Sequence, residues 1–410
     1  MLLLDGYGID LRVDKAKLII KHQTDLSNET IVYSPRKIDI DQIVIYGRSG
    51  EISFDAIRWL MKHYVQVSFL NWDGQLLTSM LYEKNIGSEA KVEQYKQFTN
   101  PIKRFENAKK FIEGKFKQQQ FVLDYLKERY SIIDNDFSKE VELFKNAKTV
   151  QDILLSEGRV ASHYWKQIAK IIPKEYEFEG RKYKKEAKGT GDKVNCMFNY
   201  GYAILEAEVL KSINSIGLDR HIGFLHERQV GKNSLAYDLQ EPFRFLIDLA
   251  VLDIIENKTL KDSDFLRTEN YNLRLKTSGV KKIMESINKY FNMDVEYKKN
   301  KVNMHYLILL KTRELSNYLK TGKKLVFTDV NFKIKRQDTE DIRNKILNIS
   351  YYKWMKAGLS KGTLHYIKQN IKENKPFTLN KHIENIIINW WKIWKQNMKF
   401  FSKMQEICQK

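Results

Sequence analysis

The stretch GLDRHIGFLHERQVGKNSLAYDLQEPFRFLIDLAV, residues 217–251, decides how this chain is read. It gathers His226, Asp238, Glu241 and Asp248, ringed by Arg228, Lys232 and Arg244, in a chain whose formal net charge is +20. Leu235, Leu239, Phe243, Leu246 and Ala250 recur at helical spacing and give the segment a core face. Asn233 or Ser234 can cap that helix. Pro242 interrupts it, so either its first turn is bent or two helices meet there. Asp238 and Glu241, three apart, leave the helix on one side. Upstream, LLSEGRVASHYW (154–165) offers a further acid, Glu157, beside Gly158, where a missing Cβ would let another backbone approach. His163 in the same stretch is a further candidate ligand, with packing or capping as the plainer alternative.

One histidine and two carboxylates suit Mg²⁺ or Mn²⁺, the imidazole favouring Mn²⁺. Such an ion polarises a phosphoryl oxygen and activates a water or a 3′-hydroxyl. The plainer readings are a structural histidine, helix-surface acids paired with Arg244 or Lys232, and a Glu157 that only complements a helix N-terminus.

The surrounding chain agrees with work on a polyanion. With 71 Lys and Arg against 51 Asp and Glu, nucleic acid is the expected partner and an anionic membrane surface the competitor. Two cysteines, Cys196 and Cys408, support neither a disulfide framework nor a thiolate zinc site. The opening MLLLDGYG is too short for a signal peptide, and no uncharged apolar run reaches membrane-spanning length, so a soluble intracellular protein is expected.

Three parts are expected. Residues 1–88 are strand-rich: LRVDKAKLIIKH, TIVYSP, DQIVIYG and VQVSFLNWDGQLLTSMLY are β-type runs, with Asp5-Gly6, Gly47 and Asp73-Gly74 read as turns. One helix, FDAIRWLMKHY, is set among them, with Ile57, Leu60 and Met61 on its apolar side. Residues 89–330 read as all-helical, with long amphipathic segments such as NPIKRFENAKKFIEGKFKQQQFVLDYLKERY. The basic stretch GRKYKKEAKGTGDK (180–193) reads as a loop, either a solvated linker or a DNA contact. In residues 335–410, SYYKWMKAGLSKGTLHYIKQNIK reads as a helix, a tight turn and a second helix, with Ser350 and Ser360 as caps. Leu364, Ile367 and Ile371 would face a core, and Lys361, Thr363, His365, Lys368 and Lys372 would face away. That is the layout of a helix-turn-helix whose second helix enters the major groove, or of a helical hairpin that supports a dimer. The tail WWKIWKQNMKFF could pack beneath it or against a partner.

Four stretches resemble the CRISPR-associated Cas-one family, endonucleases that insert spacers into CRISPR arrays. They are YGRSGEISFDAIRWLMKHYVQVSFLNWDGQL, LLSEGRVASHYW, VNCMFNYGYAILEAEV and the opening stretch. The resemblance implies an α+β fold with an N-terminal β-rich dimerisation domain and a large all-helical catalytic domain. It implies that Glu157, His226 and Glu241 are catalytic and bind the metal, and that Asp238 is an outer-shell or alternate ligand. Asn195 and Tyr200 match motif positions in a packing role, and Arg228, Lys232 and Arg244 join the helix-turn-helix residues in binding DNA. Most of the family stops near KLVFTDVNF. A chain that continues into a helix-turn-helix resembles the casposases, the integrases of casposon mobile elements.

The implied function is metal-dependent joining of donor 3′-hydroxyl ends to target DNA by transesterification, with Mn²⁺ or Mg²⁺. The implied partners are double-stranded DNA and a second copy, as a homodimer or a DNA-bound tetramer, in the nucleoid-associated cytoplasm of a prokaryote, an archaeon. Two alternatives stand beside it: a CRISPR spacer integrase acting with a small ferredoxin-fold partner, and an architectural DNA-binding protein without catalysis.

Overall fold

The computed structural model describes residues 1–23, 28–35, 37–47, 49–71, 74–82, 88–130, 132–181, 191–267, 273–298, 300–330, 332, 346–347, 349–356 and 358–372. Two compact units divide the chain, Met1–Asn331 and Phe332–Lys410. The fold is α+β.

The first unit begins with β1 (Leu2–Asp14), β2 (Lys17–Gln23), β3 (Asn28–Tyr33), β4 (Gln42–Gly47), β5 (Gly50–Ile52), α1 (Phe54–Lys62), β6 (Gln66–Leu70) and β7 (Leu76–Met80). The strands make one sheet in the order β3-β2-β1-β4-β6-β7, with β5 on β1. Pairings β1–β4, β1–β5 and β4–β6 are parallel and the rest antiparallel. Ser53 caps α1 by accepting the Ala56 amide at 3.1 Å. The helix buries Ala56, Trp59 and Leu60 in a core with Leu4, Leu11, Ile43 and Val67.

The β-type run LRVDKAKLIIKH forms the hairpin β1–β2, turned at Lys15 (φ 46°) and Ala16 (φ 63°). Both residues are left-handed, as tight hairpin turns require, yet neither is Gly or Asn. The Trp59 indole N–H, 2.9 Å from the Ala16 carbonyl, helps hold the turn from the helix side. One local expectation fails here: Asp5-Gly6 is not a turn. It lies inside β1, where Gly6 (φ 91°) and Gly8 (φ 59°) let the strand leave β4 and continue along β2 and β5.

Helices follow: α2 (Glu89–Thr99), α3 (Pro101–Arg129), α4 (Ser138–Lys145), α5 (Val150–Ala169), α6 (Lys193–Ile216), α7 (Ser234–Gln240), α8 (Phe245–Glu256), α9 (Thr277–Phe291) and α10 (Met304–Thr321). Their ends obey capping rules. Asn100 accepts two amides with Pro101 at the first position of α3, and Thr149 and Asp152 form a capping box on α5. Gly217 (φ 82°) closes α6. Buried on nearly every side, α6 forms the central rod of the helical part. Helical periodicity did not announce two small antiparallel ribbons, β8 (Phe265–Arg267) with β9 (Leu273–Leu275) and β10 (Asp294–Tyr297) with β11 (Asn300–Asn303). The sheet is tied to the helices by the Gln66 amide on the Ala207 carbonyl (3.0 Å), by Lys211 on Asp41 (2.7 Å) and by the Tyr200 hydroxyl on that of Tyr46.

In the second unit, helices Tyr351–Lys356 and Lys361–Lys372 enclose a core of Ile346, Ile349, Trp354, Leu364, Ile367 and Ile371. Gly358 (φ 75°) lies in the turn between them, and the Trp354 indole donates to the Ser360 carbonyl at 2.8 Å. The tail WWKIWKQNMKFF, Cys408 and most of the basic loop, 182–190, lie outside the described residues.

Candidate metal centre

Pro242 sets the local geometry. Lacking an N–H, it ends α7 and forces the 3-10 turn Glu241–Phe243 before α8 begins, so two helices meet there. The whole apolar series from Leu235 to Ala250 is buried, as its spacing predicts. Neither proposed cap acts through its side-chain oxygen on the helix: Asn233 donates to Glu206 (2.9 Å) and Ser234 to the Glu227 carbonyl (2.9 Å). The turn presses on α3 at Gly114, where an added Cβ would stand 2.6 Å from Phe327 Cβ and 3.1 Å from Pro242 Cβ. The backbone approach expected at Gly158 is absent, since a Cβ there would meet nothing within 4 Å, and the crowding at Gly114 comes from side-chain carbons.

Next to Gly114 stands Lys115, almost fully buried. Its Nζ lies 2.5 Å from Glu157 Oε1 on α5 and 2.7 Å from Glu241 Oε2. Residues distant in sequence thus share one ammonium. They line a cavity of about 310 Å³ together with His226, Arg244 and Asp248. Arg244 Nη1 is 3.3 Å from Glu241 Oε1, and its guanidinium lies 3.9 Å above the Tyr202 ring. Burial alone would raise the Glu241 carboxyl, but Lys115 and Arg244 outweigh it and hold it at about 2. Burial likewise opposes the charge on Lys115, and Glu241 and Glu157 still keep it above the ordinary lysine range.

His226 is fixed from behind. Its Nδ1 lies 2.8 Å from Asp238 Oδ1, which leaves Nε2 as the remaining ring nitrogen. Asp238 is fully buried and also accepts the backbone amides of Phe224, Leu225 (3.0 Å) and His226 (3.0 Å). Gly223 makes room, since a Cβ there would come within 2.8 Å of Asp238 Oδ2. With both oxygens engaged and no place in the cavity lining, Asp238 orients the imidazole. Burial would lower the His226 pKa, but the Asp238 contact and the Glu241 charge raise it.

Among the described residues, no three of His, Cys, Asp and Glu stand close enough to hold an ion as they lie. The donor set nevertheless fits one. Two carboxylates from different elements meet at a single cation, a backed imidazole lines the same cavity, and the buried Glu241 Oε2 receives no well-formed hydrogen bond, only the ion pair with Lys115.

The other expected residues separate. Asp248 is buried, accepting Tyr164 (2.7 Å) and Tyr202 (2.6 Å), and burial raises its pKa. His163 faces the Asp134 carbonyl at 3.1 Å and is absent from the cavity lining. Asn195 binds Asp192, the Gly180 carbonyl and Arg181 at the start of α6, and Tyr200 packs edge-on against Tyr46. Arg228 and Lys232 are exposed, and Lys232 lines an open groove of about 590 Å³ that shares Arg181, Tyr202, His226, Glu241 and Arg244 with the cavity. In the second unit Lys361, Thr363, His365 and Lys372 are exposed, while Lys368 donates to the carbonyls of Leu347 (2.9 Å) and Ile349 (2.7 Å). Sequence reasoning missed Lys115, Gly114, Tyr164 and Tyr202. Lys115 carried a signal: it sits in the buried series Phe111, Ile112, Lys115, Phe116, Gln119, Val122, a cation on a core face.

Residues 2–289 match the family model described as CRISPR associated protein Cas1. The chain belongs to that family. A curated relative, the CRISPR-associated endonuclease Cas1 1 of Archaeoglobus fulgidus, is 29% identical over 339 residues, 78% of this chain and 96% of the relative. The CRISPR-associated endonuclease Cas1 of Korarchaeum cryptofilum is 26% identical over 78% of this chain and 95% of its own. Among solved structures, a casposase bound to integration product is 49% identical, with a TM-score of 0.80, over 85% of this chain and 99% of its own. A Cas1 protein from Thermotoga maritima shares the fold at 19% identity and a TM-score of 0.67, over 81% of this chain and 99% of its own. No described helix is long and apolar enough to cross a membrane.

Proposed function

We propose that this protein is a metal-dependent DNA integrase of the casposase kind, joining the 3′-hydroxyl of a donor DNA end to a target strand by transesterification. The observation that carries the reading is the 49% identity, over 85% of the chain, to a casposase bound to integration product. The cavity supports it. Glu157, Glu241 and His226 would hold Mn²⁺ or Mg²⁺, which when bound supplies Lewis-acid stabilisation of charge developing at the phosphate.

The chain's own groups do the positioning. Asp238 keeps the His226 Nδ1–H tautomer and aims Nε2. Tyr202 and Glu241 hold the Arg244 guanidinium at the cavity wall, where it can meet a phosphate oxygen. Lys232 and Arg220 extend the positive lining along the adjoining groove. Exposed Lys361, Thr363, His365 and Lys372 would contact DNA from a helix-turn-helix. The working division is a β-rich dimerisation domain (1–88), a catalytic domain (89–330) and a DNA-binding domain (335–410), acting as a homodimer or a DNA-bound tetramer.

A spacer-acquisition role is the second reading, favoured by the family match and by the names of the curated relatives. One assay separates the two: the purified full chain, a short duplex with free 3′ ends, a supercoiled plasmid and Mn²⁺. The casposase reading predicts strand joining by the lone protein, lost with chelator. DNA binding without joining under every metal condition would contradict it. Joining only after a small partner protein is added would move the assignment to the second reading.

A further inference from the structure

Lys115 has no part in the set of ligands that the motif residues suggest, yet it occupies the position those ligands surround. Its ammonium is 2.5 Å from Glu157 Oε1 and 2.7 Å from Glu241 Oε2. The side chain of Glu241 is 6% exposed and that of Glu157 23%, so water does little to separate the two negative charges. Without a positive centre between them they would repel in a medium of low polarity.

A divalent ion shared by both carboxylates would have to be held between their oxygens. The lysine ammonium stands where that ion would stand, and two cations cannot share the position. A lysine suits a temporary occupant. It is a compact single charge on a flexible four-carbon stem, and Gln118, Gln119 and the cavity beyond give it somewhere to go. An arginine already bound to Glu241 on the far side, Arg244, remains to compensate the charge.

We propose that Lys115 is a displaceable counter-ion. In the metal-free protein it holds Glu157 and Glu241 in register, and it swings into the cavity when a divalent cation takes the carboxylates. This inference rests on the metal-site reading and adds a positioning residue to it. Lys115 keeps the empty site folded at the expense of metal affinity, so tight loading would require a further contact for the released ammonium, and a DNA phosphate entering the cavity offers one.

The test uses the DNA-free full chain and Mn²⁺ alone, by titration calorimetry at pH 8. The Lys115→Met protein should bind Mn²⁺ at least about 10-fold more tightly than wild type, because a charged hydrogen-bonded competitor is gone. Without metal it should melt lower than wild type, and Mn²⁺ should raise its melting temperature more. A folded Lys115→Met protein with equal or weaker Mn²⁺ affinity overturns the proposal. Should that variant not fold, wild type still decides. Reductive methylation mapped by mass spectrometry should label Lys115 several-fold faster with Mn²⁺ than without, and an unchanged rate overturns it. Loss of Mn²⁺ binding in Glu157→Gln and Glu241→Gln marks the site itself as sound. If wild type binds no Mn²⁺, or those variants bind it normally, the metal-site reading fails and this inference fails with it.

Discussion

Asp238 Oδ1 stands 2.8 Å from Nδ1 of His226, and the same carboxylate gathers the backbone amides of residues 224–226. One buried side chain therefore shapes the loop and selects the tautomer. Asp238→Asn keeps the volume but turns an acceptor into a donor. It should lower Mn²⁺ affinity on the order of 10–100-fold while the fold survives. Asp238→Ala also strands three amides and should cost about 3 kcal/mol or more. Calorimetry and urea unfolding of both variants check this. Unchanged metal affinity in the Asn protein would show that Asp238 has no part in orienting His226 for the metal.

Gly114 is where α3 meets the turn that carries Glu241. Gly114→Val brings branched carbon against Phe327 and Pro242, at 2.6 and 3.1 Å for the Cβ alone. The overpacking should cost on the order of 2 kcal/mol and push the Glu241 turn off Lys115. A lower urea midpoint together with slower strand joining is expected. At Gly158 the Cβ would meet open space, so Gly158→Ala should leave stability within about 0.5 kcal/mol or raise it slightly, since it lies within α5.

How far these features could be read from the sequence varied with their locality. A break at Pro242 was legible because proline acts on its own neighbours, although the sequence left a bent turn and a meeting of two helices both open. The buried face from Leu235 to Ala250 was legible from its period. The Lys15–Ala16 turn was not, because its left-handed residues carry no turn signature and are supported by a contact from Trp59. The pairing of Lys115 with Glu157 and Glu241 was invisible for a related reason. Each partner comes from a different helix or turn, and nothing in the spacing of one announces the others. Gly158 drew attention by standing next to an acid, whereas the glycine in close contact, Gly114, stands next to the lysine.

Tyr202 joins two functions that substitution can separate. Its hydroxyl donates to buried Asp248 at 2.6 Å, and its ring lies beneath Arg244. Tyr202→Phe should destabilise by about 1–3 kcal/mol and leave DNA affinity near wild type. Tyr202→Leu should lose both stability and affinity. Urea unfolding and a filter-binding titration at fixed salt read the two effects. Equal DNA affinity in the Phe and Leu proteins would count against a role for the ring in holding Arg244.

Buried charge also sets an acid limit. Glu208 on α6 lies 2.9 Å from Lys211 and 3.2 Å from His305, and Lys211 also reaches Asp41, just before β4. Burial would raise the Glu208 carboxyl, but Lys211 and His305 prevail and lower it from 4.5 to about 2. A carboxyl depressed by folding stabilises above its unfolded value, and the gain is lost as pH falls from about 4.5 through 2. The shift corresponds to about 3 kcal/mol. Wild type should exceed Glu208→Gln in unfolding free energy at pH 7, and the gap should shrink once the pH falls below about 4.5 and close only near pH 2. A gap independent of pH would show that Glu208 acts by packing rather than charge.

Whether Glu157, His226 and Glu241 hold one divalent cation can be seen most directly by anomalous scattering from crystals grown with Mn²⁺. One strong peak is expected within bonding distance of both carboxylates and of His226 Nε2, with the Lys115 ammonium moved away. A peak elsewhere, with Lys115 still bridging the two glutamates, would contradict that site.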